Sequence, residues 1–426
     1  MEEKIVINGG TPLRGSVAIS GFKNAALPIL VATILTADVC TLENIPEIRD
    51  VEKTLEILTA MGAEVSKLGR TTVRIDTTNV QYGSSPLELV SKLRGSTYLL
   101  GAELGRFKKA HVGLPGGCDI GNRPIDQHIK AFEALGATVT LERGYVDAVA
   151  ENGIKGNSIY FDSTSVGATA NSILAAVMAE GTTIIENPAK EPHIVDLANF
   201  LNTCGASITG AGTDVIKIKG TDKLHGCTYS IIPDMIEAGT FMIAAVATRG
   251  RVRVDGVIPK HMDTLSAKLV EMGATVEEID DSIIVSCTER PTKTNVKTLP
   301  YPGFPTDLQP QITTLLCLAD GTSRVTETVF ENRFKYVDEL FRMGATVRVD
   351  GKTAIIEGVE ELYGANLKAL DLRAGAAMVI AALAANGTSS IYNIASIERG
   401  YDDIVAKFRD LGADIKKETA VPSEMK

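Results

Sequence analysis

Val337-Asp338-Glu339-Leu340-Phe341-Arg342-Met343-Gly344-Ala345-Thr346-Val347-Arg348-Val349-Asp350-Gly351 reads as a helix, a stop and the first half of a hairpin. Val337, Leu340 and Phe341 recur at helical spacing, and Gly344 sits where a left-handed residue closes a helix at no Cβ cost. Thr346 to Val349 alternates as a strand, Asp350-Gly351 makes the turn, and Ala354-Ile355-Ile356 returns. The same order occurs at Gly62-Ala63, Gly136-Ala137, Gly205-Ala206, Gly273-Ala274 and Gly412-Ala413. Successive glycines are 74, 69, 68, 71 and 68 residues apart, which marks six copies of one unit.

A second kind of helix is rich in small residues and apolar nearly all round: Ala168 to Ala179, Ala238 to Ala247, Ala374 to Ala385. A helix without a polar face must be buried, so helices are expected inside and sheets outside. Several of these helices follow a strand opened by glycine, as in Leu13-Arg14-Gly15, Ile154-Lys155-Gly156, Leu224-His225-Gly226 and Leu362-Tyr363-Gly364. The unit is therefore strand, inner helix, strand, outer helix, hairpin, and the class is α/β. Six such units in 426 residues exceed one ordinary core, so three plus three is expected, with a seam near Ile231 to Pro233. An open solenoid of six units is the alternative, but neither end carries a polar capping repeat.

The 43 Lys+Arg against 53 Asp+Glu give a net charge of −10, which argues against nucleic acid as a partner and leaves small anions open. Cys40, Cys118, Cys204, Cys227, Cys287 and Cys317 are dispersed, as expected of thiols in a reducing compartment. Five histidines without paired spacing predict no structural metal, and nothing calls for a cofactor. The start Met1-Glu2-Glu3-Lys4 has no secretory pattern, and the apolar run Ala25 to Leu35 is broken by Pro28 and too short to span a membrane. A cytoplasmic protein with no membrane association and no obligate protein partner is expected.

Helix N-termini are natural anion sites. The inner helices are expected to start at Lys23-Asn24, Arg94, Ser165, Asp307 and Arg373. Capping accounts for Ser165 and Asp307; it does not account for cations, which the helix dipole disfavours there. The loop Leu114-Pro115-Gly116-Gly117-Cys118-Asp119-Ile120-Gly121-Asn122-Arg123-Pro124-Ile125-Asp126 holds three glycines, a thiol and a guanidinium. Cys118 is a reactive-residue candidate, whereas the other five cysteines read as small buried hydrophobes. Arg123 would favour its thiolate and Asp119 oppose it. Arg333, and Arg399 in Glu398-Arg399-Gly400-Tyr401, precede outer helices, and Arg123 and Arg399 hold matching places in their repeats.

At these residues the chain closely resembles the UDP-N-acetylglucosamine 1-carboxyvinyltransferases, relatives of 5-enolpyruvylshikimate-3-phosphate synthase. The motifs are Lys23-Asn24-Ala25-Ala26-Leu27-Pro28, the Pro115 to Asp126 loop, Ser165-Val166-Gly167-Ala168-Thr169, Phe304-Pro305-Thr306-Asp307, Thr328-Val329-Phe330-Glu331-Asn332-Arg333, Asp371-Leu372-Arg373-Ala374 and Arg399-Gly400-Tyr401. The resemblance implies two inside-out α/β-barrel-like domains of three units each (an EPT/RTPC-like fold). It divides the chain into 23–231, and 1–22 with 232–426, the first residues returning to the second domain.

It further implies the chemistry. The substrates are phosphoenolpyruvate and UDP-N-acetylglucosamine, and the reaction opens peptidoglycan synthesis, hence cell-wall growth, shape and division. Lys23, Arg123 and Arg399 would hold the phosphate of phosphoenolpyruvate, with Arg333 and Arg373 near its carboxylate. The sugar nucleotide would meet Asn24, Arg94, Arg123, Pro124, Ile125, Asp126, Gln127, Ser163, Thr164, Ser165, Val166, Asp307 and Val329, with Asp371 in the same set. Catalysis would fall to Cys118, Asp307, Lys23 and Arg399. Cys118 would be the proton donor, able to form a phospholactoyl adduct and open to alkylation by the epoxide fosfomycin, and Asp307 would be the base. Asp119 departs from the small or hydroxyl residue common after the cysteine. A shikimate-directed transferase is the nearest alternative, but its Gly-Asn-Ala-Gly-Thr-Ala run is missing. A silent sugar-nucleotide sensor would have had no need of Cys118, Asp307 and the cations together.

Overall fold

Gly62, Gly136, Gly205, Gly273, Gly344 and Gly412 all take left-handed backbone conformations, with φ between 91° and 106°. In each case the following alanine donates its N–H five residues back, as from Ala63 to the Leu58 carbonyl (3.0 Å) and from Ala345 to Leu340 (3.1 Å). This is the Schellman closure, which satisfies carbonyls that the helix end would leave bare. The repeat read from the sequence is therefore a repeat of structure. These observations come from a computed structural model that describes residues 3–114 and 124–420.

The described residues form two compact units. One runs from Gly21 to Ile232, and the other holds the residues up to Ser20 and those from Pro233 onward. In the first, the inner helices are Lys23–Ala32, Tyr98–Phe107 and Val166–Ala176. In the second they are Met235–Ala247, Gln309–Cys317 and Leu372–Ala384. Every residue of Met235–Ala247 and of Gln309–Cys317 is buried. Small residues allow the close approach: a Cβ on Gly101 would lie 2.5 Å from the Asn171 carbonyl oxygen, and the Gly101 N–H donates to Asn171 Oδ1 (2.8 Å). Strands such as Arg251–Asp255 alternate exposed and buried residues, so each sheet turns one face to the helices.

Among the described residues three sheets belong to each unit, and all are separate ladders. "Barrel-like" thus describes only the order of helices inside and strands outside. Among the described residues five sheets have four strands, each a parallel pair extended by two antiparallel strands; in three of them the parallel pair comes from the strands flanking one inner helix. The second unit of the repeat departs from the expected pattern, because its sheet has three strands. Its opening strand is replaced by the short helical turns Leu87–Val90 and Arg94–Thr97. The hairpin after Gly344 also turns one residue later than expected, with Asp350 paired to Thr353.

Two strands do not pair within their own repeat. Arg14–Ala18 precedes the first inner helix, yet it lies parallel to Arg251–Asp255, the strand after the fourth. Thr228–Ser230 precedes the fourth inner helix, yet it pairs with Thr41, Leu42 and Glu43, after the first. Glu3–Asn8 sits between Thr388–Tyr392 and Asp414–Thr419 in the last sheet.

Candidate active site

Ser165 caps its helix as expected, its Oγ accepting from Ala168 N at 3.3 Å. Asp307 does not. It lies in the single turn Thr306–Leu308 ahead of Gln309–Cys317, and neither helix start has a side-chain cap. The carboxylate goes instead to two arginines: Oδ1 to Arg333 Nη2 (3.0 Å) and Oδ2 to Arg373 Nη2 (3.2 Å). Both arginines are 3% exposed, whereas the Asp307 side chain is 27% exposed. The capping expectation fails because opposite charges at this distance outbid a single neutral N–H bond.

The position of Arg373 comes from Asp371, whose Oδ1 accepts from the N–H groups of Arg373 (2.8 Å) and Ala374 (2.9 Å) and so caps Leu372–Ala384. Burial works against the charge of Arg373, but Asp307 and Tyr401 outweigh it and hold the guanidinium above its ordinary pKa. The Tyr401 ring lies 5.5 Å below that guanidinium. Its hydroxyl is 2.9 Å from Thr240 Oγ1 and accepts from Gln311 Nε2 (3.2 Å). Arg333 Nη2 also donates to the Thr306 carbonyl (3.3 Å), and its Cζ stands 5.5 Å from the centre of the Phe330 ring. Arg333 Nε and Arg373 Nη1 are buried donors with no hydrogen-bond partner among the described residues. Two desolvated guanidiniums with donors to spare make a site for an anion. Val329 is 41% exposed beside them in sequence, and Arg399 is half-buried in the turn after Ile394–Ser396.

The unit from Gly21 to Ile232 holds the remaining described candidates. Lys23 opens its helix at 9% exposure, with Nζ 2.8 Å from Asp50 Oδ2, itself 1% exposed. Asp50 explains how a lysine is tolerated at a helix N-terminus. Asn24 and Arg94 are half-buried, Arg94 beginning the turn before Tyr98–Phe107. Pro124 and Asp126 are exposed, and Ile125 precedes the helix Asp126–Ala134. Gln127 ties this helix start to the next segment by donating to Asp126 Oδ2 (3.2 Å) and accepting from Asp162 N (3.2 Å). Ser163 is exposed, Thr164 and Val166 are half-buried, and Thr164 Oγ1 donates weakly to Asn187 Oδ1 (3.4 Å). Cys118, Asp119 and Arg123 lie outside the described residues.

Sequence reasoning missed four residues. Asp50 pairs with Lys23, and Tyr401 supports Arg373. His128 is buried against Gly167, and burial, then the charge of Arg94, pushes its imidazole down to about 4, so it is neutral at pH 7. Glu327 is 1% exposed beneath the Asp307 and Val329 segments. Only Tyr401 and Glu327 gave a signal, by standing in or next to a motif. Among the other cysteines, Cys40, Cys204, Cys287 and Cys317 are buried as expected, while Cys227 is half-buried with its sulfur 3.4 Å from that of Cys204.

Residues 7–408 match the family described as EPSP synthase (3-phosphoshikimate 1-carboxyvinyltransferase). Over 417 residues, 98% of this chain and 99% of the relative, the sequence is 56% identical to UDP-N-acetylglucosamine 1-carboxyvinyltransferase 2 of Clostridium acetobutylicum. It is 53% identical to UDP-N-acetylglucosamine 1-carboxyvinyltransferase 2 of Geobacillus kaustophilus, over 99% of this chain and 98% of that one. The fold superposes on the enolpyruvyl transferase NikO from Streptomyces tendae with a TM-score of 0.88 and 28% identity, covering 99% and 100% of the two chains. An EPSP synthase from Acinetobacter baumannii shares the fold at a TM-score of 0.74 and 20% identity, covering 98% and 100%.

Proposed function

The chain belongs to the UDP-N-acetylglucosamine 1-carboxyvinyltransferases of the EPSP synthase family, and on that premise we propose how its residues divide the work. The reaction transfers the enolpyruvyl group of phosphoenolpyruvate to the 3′-hydroxyl of UDP-N-acetylglucosamine and releases phosphate, the first committed step of peptidoglycan synthesis. The observation that carries the site reading is Asp307 held by Arg333 and Arg373, a carboxylate beside two buried guanidiniums with spare donors.

Arg333 and Arg373 take the carboxylate of phosphoenolpyruvate, and Lys23, Arg123 and Arg399 its phosphate. Cys118 gives a proton to C3 of the enol, which leaves positive character at C2. Asp307 takes the proton of the sugar 3′-hydroxyl as that oxygen bonds to C2. The tetrahedral ketal then loses a C3 proton and its phosphate, and the cations hold the dianion throughout. Asn24, Arg94, the 123–127 and 163–166 segments, Val329 and Asp371 serve the sugar nucleotide. The two compact units act as the domains 23–231, and 1–22 with 232–426. On this reading the enzyme is cytoplasmic. No described helix is long and apolar enough to cross a membrane.

Phosphate release from phosphoenolpyruvate tests the reading with two acceptors. UDP-N-acetylglucosamine should support turnover and shikimate 3-phosphate should not. Release with shikimate 3-phosphate alone, or with neither, would overturn it.

A further inference from the structure

Glu327 stands one residue beyond the strand Thr322–Thr326 and is 1% exposed. Its Oε1 accepts from Thr298 Oγ1 (2.9 Å), Val329 N (2.8 Å) and Phe330 N (3.2 Å), and its Oε2 from Thr306 Oγ1 (2.9 Å). These four donors are two hydroxyls and two backbone N–H groups, none of them a cation. A carboxylate buried among neutral donors has no cation to offset its desolvation. Satisfying the Val329 and Phe330 N–H groups needs only one acceptor oxygen, and Glu327 uses its second oxygen to reach Thr306 on the other segment.

The donors lie on both segments that build the anion site. Thr306 is the residue before Asp307. Val329 and Phe330 begin the segment that ends at Arg333, and the Phe330 ring underlies the Arg333 guanidinium. Arg333 returns to the Thr306 carbonyl and the Asp307 carboxylate, closing a circuit that runs from Glu327 through both segments and back. The geometry points to Glu327 as a positioning residue: it sets the distance between Asp307 and Arg333, and so the aim of the base at the sugar hydroxyl. This rests on Asp307 being the base. Glu327 itself touches no reacting atom.

The full chain is assayed by phosphate release with UDP-N-acetylglucosamine and phosphoenolpyruvate, with binding-competent sites counted by sugar-nucleotide titration. Glu327→Ala frees all four donors and should lower kcat per competent site by roughly 10- to 100-fold, the scale of an ångström-sized misplacement. Thr306→Val cuts only the link next to Asp307 and should lower kcat several-fold with little change in melting temperature. Glu327→Gln should restore most of the rate: its carbonyl oxygen accepts the N–H groups, and its amide donates to the rotatable Thr306 hydroxyl. In an Asp307→Asn background, Glu327→Ala should cost little more, because the group it aims is already disabled. An Asp307→Asn enzyme of undiminished turnover would refute the base assignment, and this inference with it. If Asp307→Asn is slow while Glu327→Ala and Thr306→Val keep the parent kcat per competent site, losing only melting temperature, then only the inference falls.

Discussion

Asp307 illustrates how one side chain changes meaning with its neighbours. As a residue before a helix it could be a cap; in the fold it bridges two buried guanidiniums and keeps an exposed edge. Asp307→Asn preserves shape but cannot accept a proton, so kcat should fall by roughly 10²–10⁴ with sugar-nucleotide binding retained; a titration and a rate measurement on the same sample decide it. Glu103 supplies a separate test. Burial pushes its carboxyl from 4.5 up to about 7, although the N–H groups of His111 and Gly83 pull the other way. The unfolded chain then ionises at lower pH than the folded one, so this contribution to stability is complete below about pH 4.5 and lost as pH rises through about 7. Glu103→Gln should remove that fall, so between about pH 4.5 and 7 the stability of the variant should rise relative to the parent by roughly 3 kcal/mol. Parallel stability–pH curves for the two proteins would contradict the assignment. Lys23, Arg333, Arg373 and Asp307 were legible because each lies in a motif or at a helix start. Asp50, His128 and Glu103 were not, because a buried ionisable group is identified by what surrounds it.

Glycine serves the elements for two different reasons. Gly273 closes an outer helix at φ 93° with open space where a Cβ would stand, so only its backbone conformation is at stake. Gly273→Ala should therefore cost about 1 kcal/mol. Gly101 is helical, and a Cβ there would sit 2.5 Å from the Asn171 carbonyl oxygen and 2.8 Å from its Oδ1. Gly101→Ala must push apart Tyr98–Phe107 and Val166–Ala176, at the upper end of the roughly 1–3 kcal/mol typical of overpacking. Denaturant midpoints should show the second loss to be the larger, and equal losses would sink the distinction. The helix ends were readable beforehand because a Schellman closure is written within six residues. The missing strand of the second repeat was not: a run around Leu87–Val90 that could extend or coil is decided by what it packs against.

For the molecule as a whole, the exchanged strands carry the consequence. Glu3–Asn8 makes six register pairs with Asp414–Thr419 and four with Thr388 to Ile391, and Arg14–Ala18 completes the sheet of the fourth repeat. Deleting residues 3–18 should therefore expose the region after Pro233 to proteolysis while the region from Gly21 to Ile232 keeps its protection. Unchanged cleavage of both regions would refute this. Neither pairing could be read along the chain, since the repeat pattern places Arg14–Ala18 with the first inner helix, and only assembly places it after the fourth. By itself the sequence determined the six-fold repeat, the α/β class, the helices that must be buried and the family, and it supplied most of the residues proposed for the site. Each is carried by a periodicity, a cap or a motif spanning a few adjacent positions. Tertiary structure alone decided the strand exchange, the pairing of Asp307 with two arginines rather than with a helix end, and the Glu327 knot. Apart from the two N–H groups just beyond Glu327, those contacts join residues tens to hundreds of positions apart, and they are chosen by the packing of whole helices and sheets, which no short stretch of sequence encodes.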